Sequence, residues 1–447
     1  LTAPADAISE YNAIVLGAGA AAAREAARFA DALKAAGVTF AGESMPSFLR
    51  PHLVERRAWR DLHESGRRVL ELAVALARRV FDGDARRLAE FLGMPPEEAA
   101  WAALDPGPPD VLLSRLDAFA TPDGPRFIEI NSDAPAGFGY GDRMAEVFAG
   151  TAAFQAFAQR WAVSYQPSSP ALVETLRSAC AARTGVEQPT VAIVDWADVK
   201  TRADQEILRE AFERAGLPAL LADPRELELG GGRLLAGASA VDVVYRRALL
   251  PELLERRAES EALFEAYRSG AAYFVNSFRC RLSEDKAFFA ILTDEAFADY
   301  LAAADRDLLA RVLPWTRRLE ERRTLKAGLE VDLVPFVLRS REQLVLKPAH
   351  GYGGQSVLVG SETAASAWES AVAAAVGGAW VVQERVPIPE EPFPVFENGE
   401  LRLERLKVNV NPFYAGGAEV GAVTRASRSS VINVGAGGGS VPTFVVG

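Results

Sequence analysis

The stretch VLLSRLDAFATPDGPRFIEINSDAPAGFGYGD, residues 111–142, decides the fold. Apolar and polar residues alternate on both sides of Pro122-Asp123-Gly124-Pro125, the pattern of two antiparallel strands joined by a tight turn. With the turn centred at about Asp123, Asp117 lies opposite Glu129 and Arg115 lies opposite Asn131. Residues two apart in a strand point the same way, so all four share one face. Directly opposed Cβ atoms are roughly 4.5–5.5 Å apart, which brings two carboxylates and an amide oxygen within reach of one cation. Such hard oxygen ligands suit Mg²⁺, which takes one or two carboxylates from a protein and fills its shell with water and phosphates. The hairpin alone also admits a plainer reading, a solvated polar face with Arg115 paired to a carboxylate.

Three later segments carry compatible chemistry. In VLKPAHGYGGQSVLVG, residues 345–360, an apolar strand delivers Lys347, Pro348 ends it, and Gly351, Gly353 and Gly354 form a loop whose amides suit phosphate oxygens. It is no P-loop, because its lysine precedes the glycines, and an ordinary glycine turn reads equally well. WVVQERV, residues 380–386, is a strand ending in Gln383 and Glu384, either the reader of a nucleotide base or an edge strand with polar residues outside. Lys286, in SEDKAFFAIL, sits at the start of an amphipathic helix, where most lysines are simply solvated.

In their joint order these segments resemble the circularly permuted ATP-grasp family, including proteins similar to glutathionylspermidine synthase. The matching stretches are SRLDAF, FIEINSDAPAG, RLSEDKAFFAIL, LVLKPAHGYGGQSVLVG, WVVQERVPIP and GAVTRASRSSVINVGAGGGS. Glu129 and Asn131 precede Lys286 and Lys347, which is the permuted order. The resemblance implies an α/β fold with a circularly permuted ATP-grasp core, a helical N-terminal region and a small inserted α/β lobe. It implies ATP and Mg²⁺ as cofactors and a carboxylate–amine ligase that forms an amide or peptide-like bond through an acyl phosphate. Carried over residue by residue, it assigns Asp117, Glu129 and Asn131 to Mg²⁺, and Arg115 to a phosphate or the acyl phosphate. Lys286 and Lys347 would hold the ATP phosphates beneath the Gly351, Gly353, Gly354, Gln355, Ser356 loop. Gln383 and Glu384 would lie at the adenine, and Arg425, in AVTRAS, would steady charge at the reacting centre.

Read with that resemblance, the chain is expected to divide into a helical region over 1–105, the metal-binding hairpin part of the core over 106–165, a small α/β lobe over 188–275, and the ATP-binding lobes over 276–447. A Ser/Pro-rich linker, SYQPSSPA, marks the internal boundary. Helices are expected from Ile14 to about Ala36 and from about Leu53 to Val80, with a further helix opened by Ser283 as N-cap. AVDVVYRR reads as one strand, and its Arg246 and Arg247 suit either a substrate carboxylate or a salt bridge at a helix start.

Composition bounds the alternatives. Sixty acidic against 49 basic residues give a net charge of −11, which repels a nucleic-acid backbone. Cys180 and Cys280 are isolated, and His52, His63 and His350 lack zinc-site spacing. No apolar run reaches the roughly 20 residues that span a bilayer, and the first residues lack signal-peptide order, so a cytoplasmic protein without membrane contact is expected. One rival remains in IVLGAGAAAAREAARFADALKAAGVTFAGES, residues 14–44. There Gly17, Gly19 and Ala22 have G-x-G-x-x-A spacing and Glu43 follows, as in an NAD(P)- or FAD-dependent oxidoreductase. A nucleotide-binding protein without ligase activity is the third reading. The partners expected are a small-molecule or peptide carboxylate and an amine.

Overall fold

The computed structural model describes residues 5–104, 107, 110–351 and 356–447. Leu113–Thr121 and Gly124–Asn131 pair antiparallel, with Asp117 facing Glu129 and Arg115 facing Asn131 as the alternation predicts. The turn is tighter than expected. Thr121 faces Gly124, so only Pro122 and Asp123 lie between, and Gly124 takes φ +113, which costs a residue without Cβ little. A bulge beyond Asp117 inserts Ile128 into the returning strand and restores the register at the site.

This hairpin forms one edge of an eight-stranded sheet. Next to it come Glu400–Ala415, Ala418–Ser427, Gly439–Val446 and finally His52–Glu55. The last pair is parallel, whereas the pairings that carry the site are antiparallel. The long helix Arg56–Val80 covers the sheet face opposite the site residues, burying Leu62, Val69, Leu72, Ala73 and Leu76 at helical spacing. It approaches so closely that a Cβ at Gly66 would stand 2.0 Å from Tyr414 Oη and 3.1 Å from Phe127 Cζ.

A second, four-stranded antiparallel sheet holds Thr316–Arg318, Trp380–Glu384, Leu344–Pro348 and Leu358–Val359, in that order. A third, parallel sheet runs Tyr273–Val275, Val243–Arg246, Val191–Val194, Ala219–Ala222. The helix Ser169–Thr184 packs Leu172, Val173, Leu176 and Cys180 into the same core as Val191 and Ile193 of this sheet.

Several local expectations are corrected. The helix expected from Ile14 is two, Ala5–Leu16 and Ala22–Ala35, with a 3₁₀ turn Gly19–Ala21 between them. The residues before Gly17 are therefore helical, and Glu43 lies on a two-stranded hairpin with Thr39–Phe40. No strand–turn–helix dinucleotide unit exists there, which overturns the oxidoreductase reading. The second helix starts at Arg56 because His52–Glu55 is a strand. Ser283 is no N-cap: it lies inside Arg281–Glu284, and its Oγ bonds Ser132 Oγ and Cys280 O. AVDVVYRR splits at Asp242 into Ser239–Val241 and Val243–Arg246. No helix among the described residues is long and apolar enough to cross a membrane.

Candidate active site

The site face of the hairpin looks into a cleft of about 330 Å³ whose other wall is the four-stranded sheet. Arg115, Asp117, Glu129, Asn131, Lys286, Lys347, Gln383, Glu384 and Arg425 all line it. Strand alternation delivers Arg115 and Asp117, and the bulge keeps Glu129 and Asn131 beside them. Lys347 and Gln383 come from neighbouring strands of the second sheet. Lys286 lies in the break between Arg281–Glu284 and Phe288–Thr293, where its backbone N–H donates to Ala349 O.

Asp117 is the hub. Its Oδ1 accepts from Arg115 Nε at 2.8 Å and from Asn131 Nδ2 at 3.0 Å, and its Oδ2 accepts from Arg425 Nη1 at 3.3 Å. Burial works to raise the Asp117 carboxyl, but the guanidinium groups of Arg115 and Arg425 more than offset it and hold it below its ordinary value. Burial, with Arg115 alongside, pushes Arg425 down to about 10. Glu129 Oε1 lies 3.1 Å from Lys286 Nζ, which also donates to Gly351 O at 2.7 Å. Lys347 Nζ donates to Gln383 Oε1 at 2.7 Å, and burial pushes this ammonium down to about 8.

The donor set is all oxygen: two carboxylates and the Asn131 amide. It suits Mg²⁺, with water and phosphate completing the shell. Among the described residues, no group of three His, Cys, Asp or Glu gathers as a metal cluster. In this arrangement side-chain cations balance both carboxylates.

Gln383 and Glu384 do not share one environment. Gln383 is buried between Lys347 and Thr316 Oγ1, whereas Glu384 pairs with Lys326 at 3.0 Å. The apolar cluster of Phe119, Val386 and Ile432, with Ile128 and Ile388 against it, lines the same cleft. Of the glycine loop, Gly351 and Ser356 are described, and Ser356 takes φ +58. Gly353, Gly354 and Gln355 lie outside the described residues. The stem of the loop is stapled to the Lys286 turn, since His350 Nδ1 contacts Asp285 Oδ2 and His350 Nε2 lies 2.8 Å from Gly93 O.

Sequence reasoning missed Asn409 and Asn411. Asn411 Oδ1 accepts from Ala118 N at 3.4 Å and its Nδ2 donates to Asn409 Oδ1 at 3.2 Å. Asn409 faces Arg425 across the sheet, and Arg425 faces Ser440, so a polar row crosses the cleft floor. The available signal was VNVN, two amides at strand spacing. It also missed Glu284, whose Oε2 accepts from the N–H groups of Ser132 and Asp133 and so fixes the end of the hairpin. Burial and the nearby Asp133 push the Glu284 carboxyl up.

Arg246 and Arg247 are braces: of the two readings, the salt bridge is the one the structure shows, and the substrate-carboxylate reading is set aside. Buried Arg246 pairs with Asp133, and buried Arg247 lies 3.1 Å from Asp204. Asp204 also accepts from the N–H groups of Gly137, Gly139 and Tyr140, which pins the segment after the hairpin.

The model of the family described as circularly permuted ATP-grasp type 2 matches residues 105–427. Among solved structures, the chain is similar to a glutathione synthetase-like effector from Globodera pallida in apo form. The identity is 12% and the TM-score 0.60, over 94% of this chain and 96% of that one. A protein assigned as gamma-glutamylcysteine synthetase from Methylobacillus flagellatus matches at 11% identity and TM-score 0.42, over 85% of each chain. D-alanyl-alanine synthetase A from Vibrio cholerae matches at 11% identity and TM-score 0.24, over 50% of this chain and 68% of that one. No curated protein matches the chain. The likeness to the effector is one of fold.

Proposed function

We propose a reaction for this chain from one premise: it belongs to the circularly permuted ATP-grasp type 2 family. The reaction is Mg-ATP-dependent ligation of a carboxylate to an amine through an acyl phosphate. The family supports an ATP-dependent ligase in general. The observation that carries the finer reading is the convergence of Asp117, Glu129, Asn131, Arg115, Arg425, Lys286 and Lys347 on one cleft.

A carboxylate is a poor acylating agent because its leaving group is oxide. Attack of a carboxylate oxygen on the γ-phosphorus releases ADP, and an amine then displaces phosphate from the acyl carbon. No side-chain nucleophile is needed, which fits a chain whose two cysteines are buried. Asp117, Glu129 and Asn131 would hold Mg²⁺, which supplies charge neutralisation on the phosphates. Lys286 and Lys347 meet phosphate charge from the opposite wall, and Gln383 holds the Lys347 ammonium in aim. Turning Asp117 toward a cation frees Arg115 and Arg425 for the carboxylate and the phosphoryl oxygens developing beside it. The apolar slot around Phe119, Val386 and Ile432 suits a purine, and Gln383 and Glu384 line the same cleft.

The test is phosphate release from Mg-ATP with a panel of acids, using hydroxylamine as the common nucleophile. Turnover that Asn131→Ala and Lys347→Ala both abolish is the expected result. Protection of the fold by ATP with no turnover for any acid would leave a nucleotide-binding protein and sink the ligase reading.

A further inference from the structure

Phe40, Met45, Tyr140 and Thr201 line the cleft outside the residues proposed to hold ATP and metal. The N-terminal hairpin Thr39–Phe40/Glu43–Ser44 is pinned there from two sides. Tyr140 Oη donates to Thr39 O at 2.6 Å, and Ala41 N donates to Lys200 O at 3.0 Å. The segment after it is tied to the last strand of the sheet, where Ser440 N donates to Pro46 O and Ser47 Oγ donates to Ser440 O. These tethers bring Phe40, Met45, Tyr140 and Thr201 to the cleft from separate parts of the chain, over a floor of Val423 and Ser440. Met45, Tyr140 and Val423 are buried, and the Tyr140 hydroxyl is already spent on the backbone.

The cations at this end are Arg115 and Arg425. Arg115 reaches Ala136 O, so its guanidinium stands beside the segment that forms this wall, and Arg425 faces Ser440 on the floor. With Asp117 turned toward a cation as proposed above, one guanidinium meets the phosphoryl oxygens and the other is left for the carboxylate of an incoming acid. The other carboxylates of the cleft are committed elsewhere. Glu129 is on Lys286, Glu284 is on backbone N–H groups, and Glu384 is on Lys326. Residues 352–355, Tyr-Gly-Gly-Gln, carry no acid in their sequence. Asp204, behind Tyr140, is taken by Arg247 and by the N–H groups of Gly137, Gly139 and Tyr140, so an ammonium brought to this end would be desolvated without a free partner.

We infer that the acid substrate is a monocarboxylate with an uncharged aromatic or branched aliphatic body, its carboxylate at Arg425 and Arg115 and its body against Phe40, Met45 and Tyr140. This rests on the ligase reading and narrows its substrate class. It excludes acids that carry an ammonium or a second carboxylate in the body.

Hydroxamate formation tests it, because hydroxylamine replaces the amine and leaves the acid as the only variable. In the assay the carboxylate oxygen bonds to the γ-phosphorus and ADP leaves with the bridging electron pair. The hydroxylamine nitrogen then bonds to the acyl carbon, phosphate leaves with the C–O pair, and the nitrogen proton goes to solvent. With wild-type protein and Mg-ATP, kcat/KM for 3-phenylpropionate and 4-methylvalerate should exceed that for glutamate and lysine by about tenfold or more. Phe40→Asp should lower the phenylpropionate value by about tenfold while ATP still raises Tm, and Phe40→Leu should retain activity within about threefold. Thr201→Asp, at a helix N-cap position that accepts Asp, gives the same reading if Phe40→Asp fails to fold. Equal or faster hydroxamate formation from glutamate or lysine would overturn the inference and leave the ligase reading standing. Absence of hydroxamate from every acid, with ATP bound, would overturn both.

Discussion

The Lys347 ammonium donates a 2.7 Å hydrogen bond to Gln383 Oε1, and both side chains are buried on adjacent strands of the four-stranded sheet. Gln383 in turn donates to Thr316 Oγ1 at 3.0 Å, so its amide cannot flip without losing both bonds. Gln383→Leu keeps much of the volume and removes the acceptor. A hydrogen bond to a charged group contributes roughly 1.5–3 kcal/mol, so KM for ATP should rise by about tenfold or more. Steady-state kinetics with varied ATP check this, and an unchanged KM would refute the positioning role.

If Lys347 holds ATP phosphate as proposed, nucleotide affinity should depend on pH. The lysine's value of about 8 lies below the ordinary 10.5 because burial disfavours the charge. A depressed lysine costs the fold stability at neutral pH, and the cost fades as pH rises through about 8 toward 10.5. Phosphate binding runs the other way, since it needs the ammonium. Calorimetric titration of ATP should therefore show affinity falling as pH passes about 8, with proton uptake on binding in that range. Lys347→Arg, charged throughout, should flatten the profile.

On the far face of the sheet, Gly66→Ala tests the closeness of helix and sheet. The added methyl would meet Tyr414 Oη at 2.0 Å, and Tyr414 is fully buried with its hydroxyl donating to His63 O at 3.1 Å. Overpacking of this kind costs roughly 1–3 kcal/mol, so Tm should drop by several degrees. Tyr414→Phe in the same chain should recover part of the loss, and equal Tm values for wild type and Gly66→Ala would refute the account.

The site hairpin was legible because strand alternation has a period of two and needs only a turn to anchor it. Its register at Asp117 and Glu129 nevertheless emerged from two departures that cancel. The turn is one residue shorter than assumed, and the Ile128 bulge restores the pairing. The break that brings Lys286 into the cleft was not legible, because SEDKAFFAIL reads as one amphipathic helix and the chain leaves the helix for a tertiary bond from Lys286 N to Ala349 O. Tertiary pairing likewise overrides local propensity at His52–Glu55, whose strand partner lies some four hundred residues away in sequence. The G-x-G-x-x-A pattern misled for the opposite reason. Alanine-rich chain is helical on both sides of Gly17 and Gly19, and the glycines mark a joint between two helices.

That distant partnership orders events in time. His52–Glu55 finds its sheet neighbour in Gly439–Val446, so in a nascent chain this apolar segment waits until that distant strand has been translated. Pairings of such long sequence separation are slow to form and leave strand edges uncovered meanwhile. The hairpin that carries Asp117 and Glu129 is local and can close early. The hairpin edge of the sheet can thus form before its opposite edge, and overexpression at low temperature, or with a chaperone that shields Leu53 and Val54, is the sensible route to folded material.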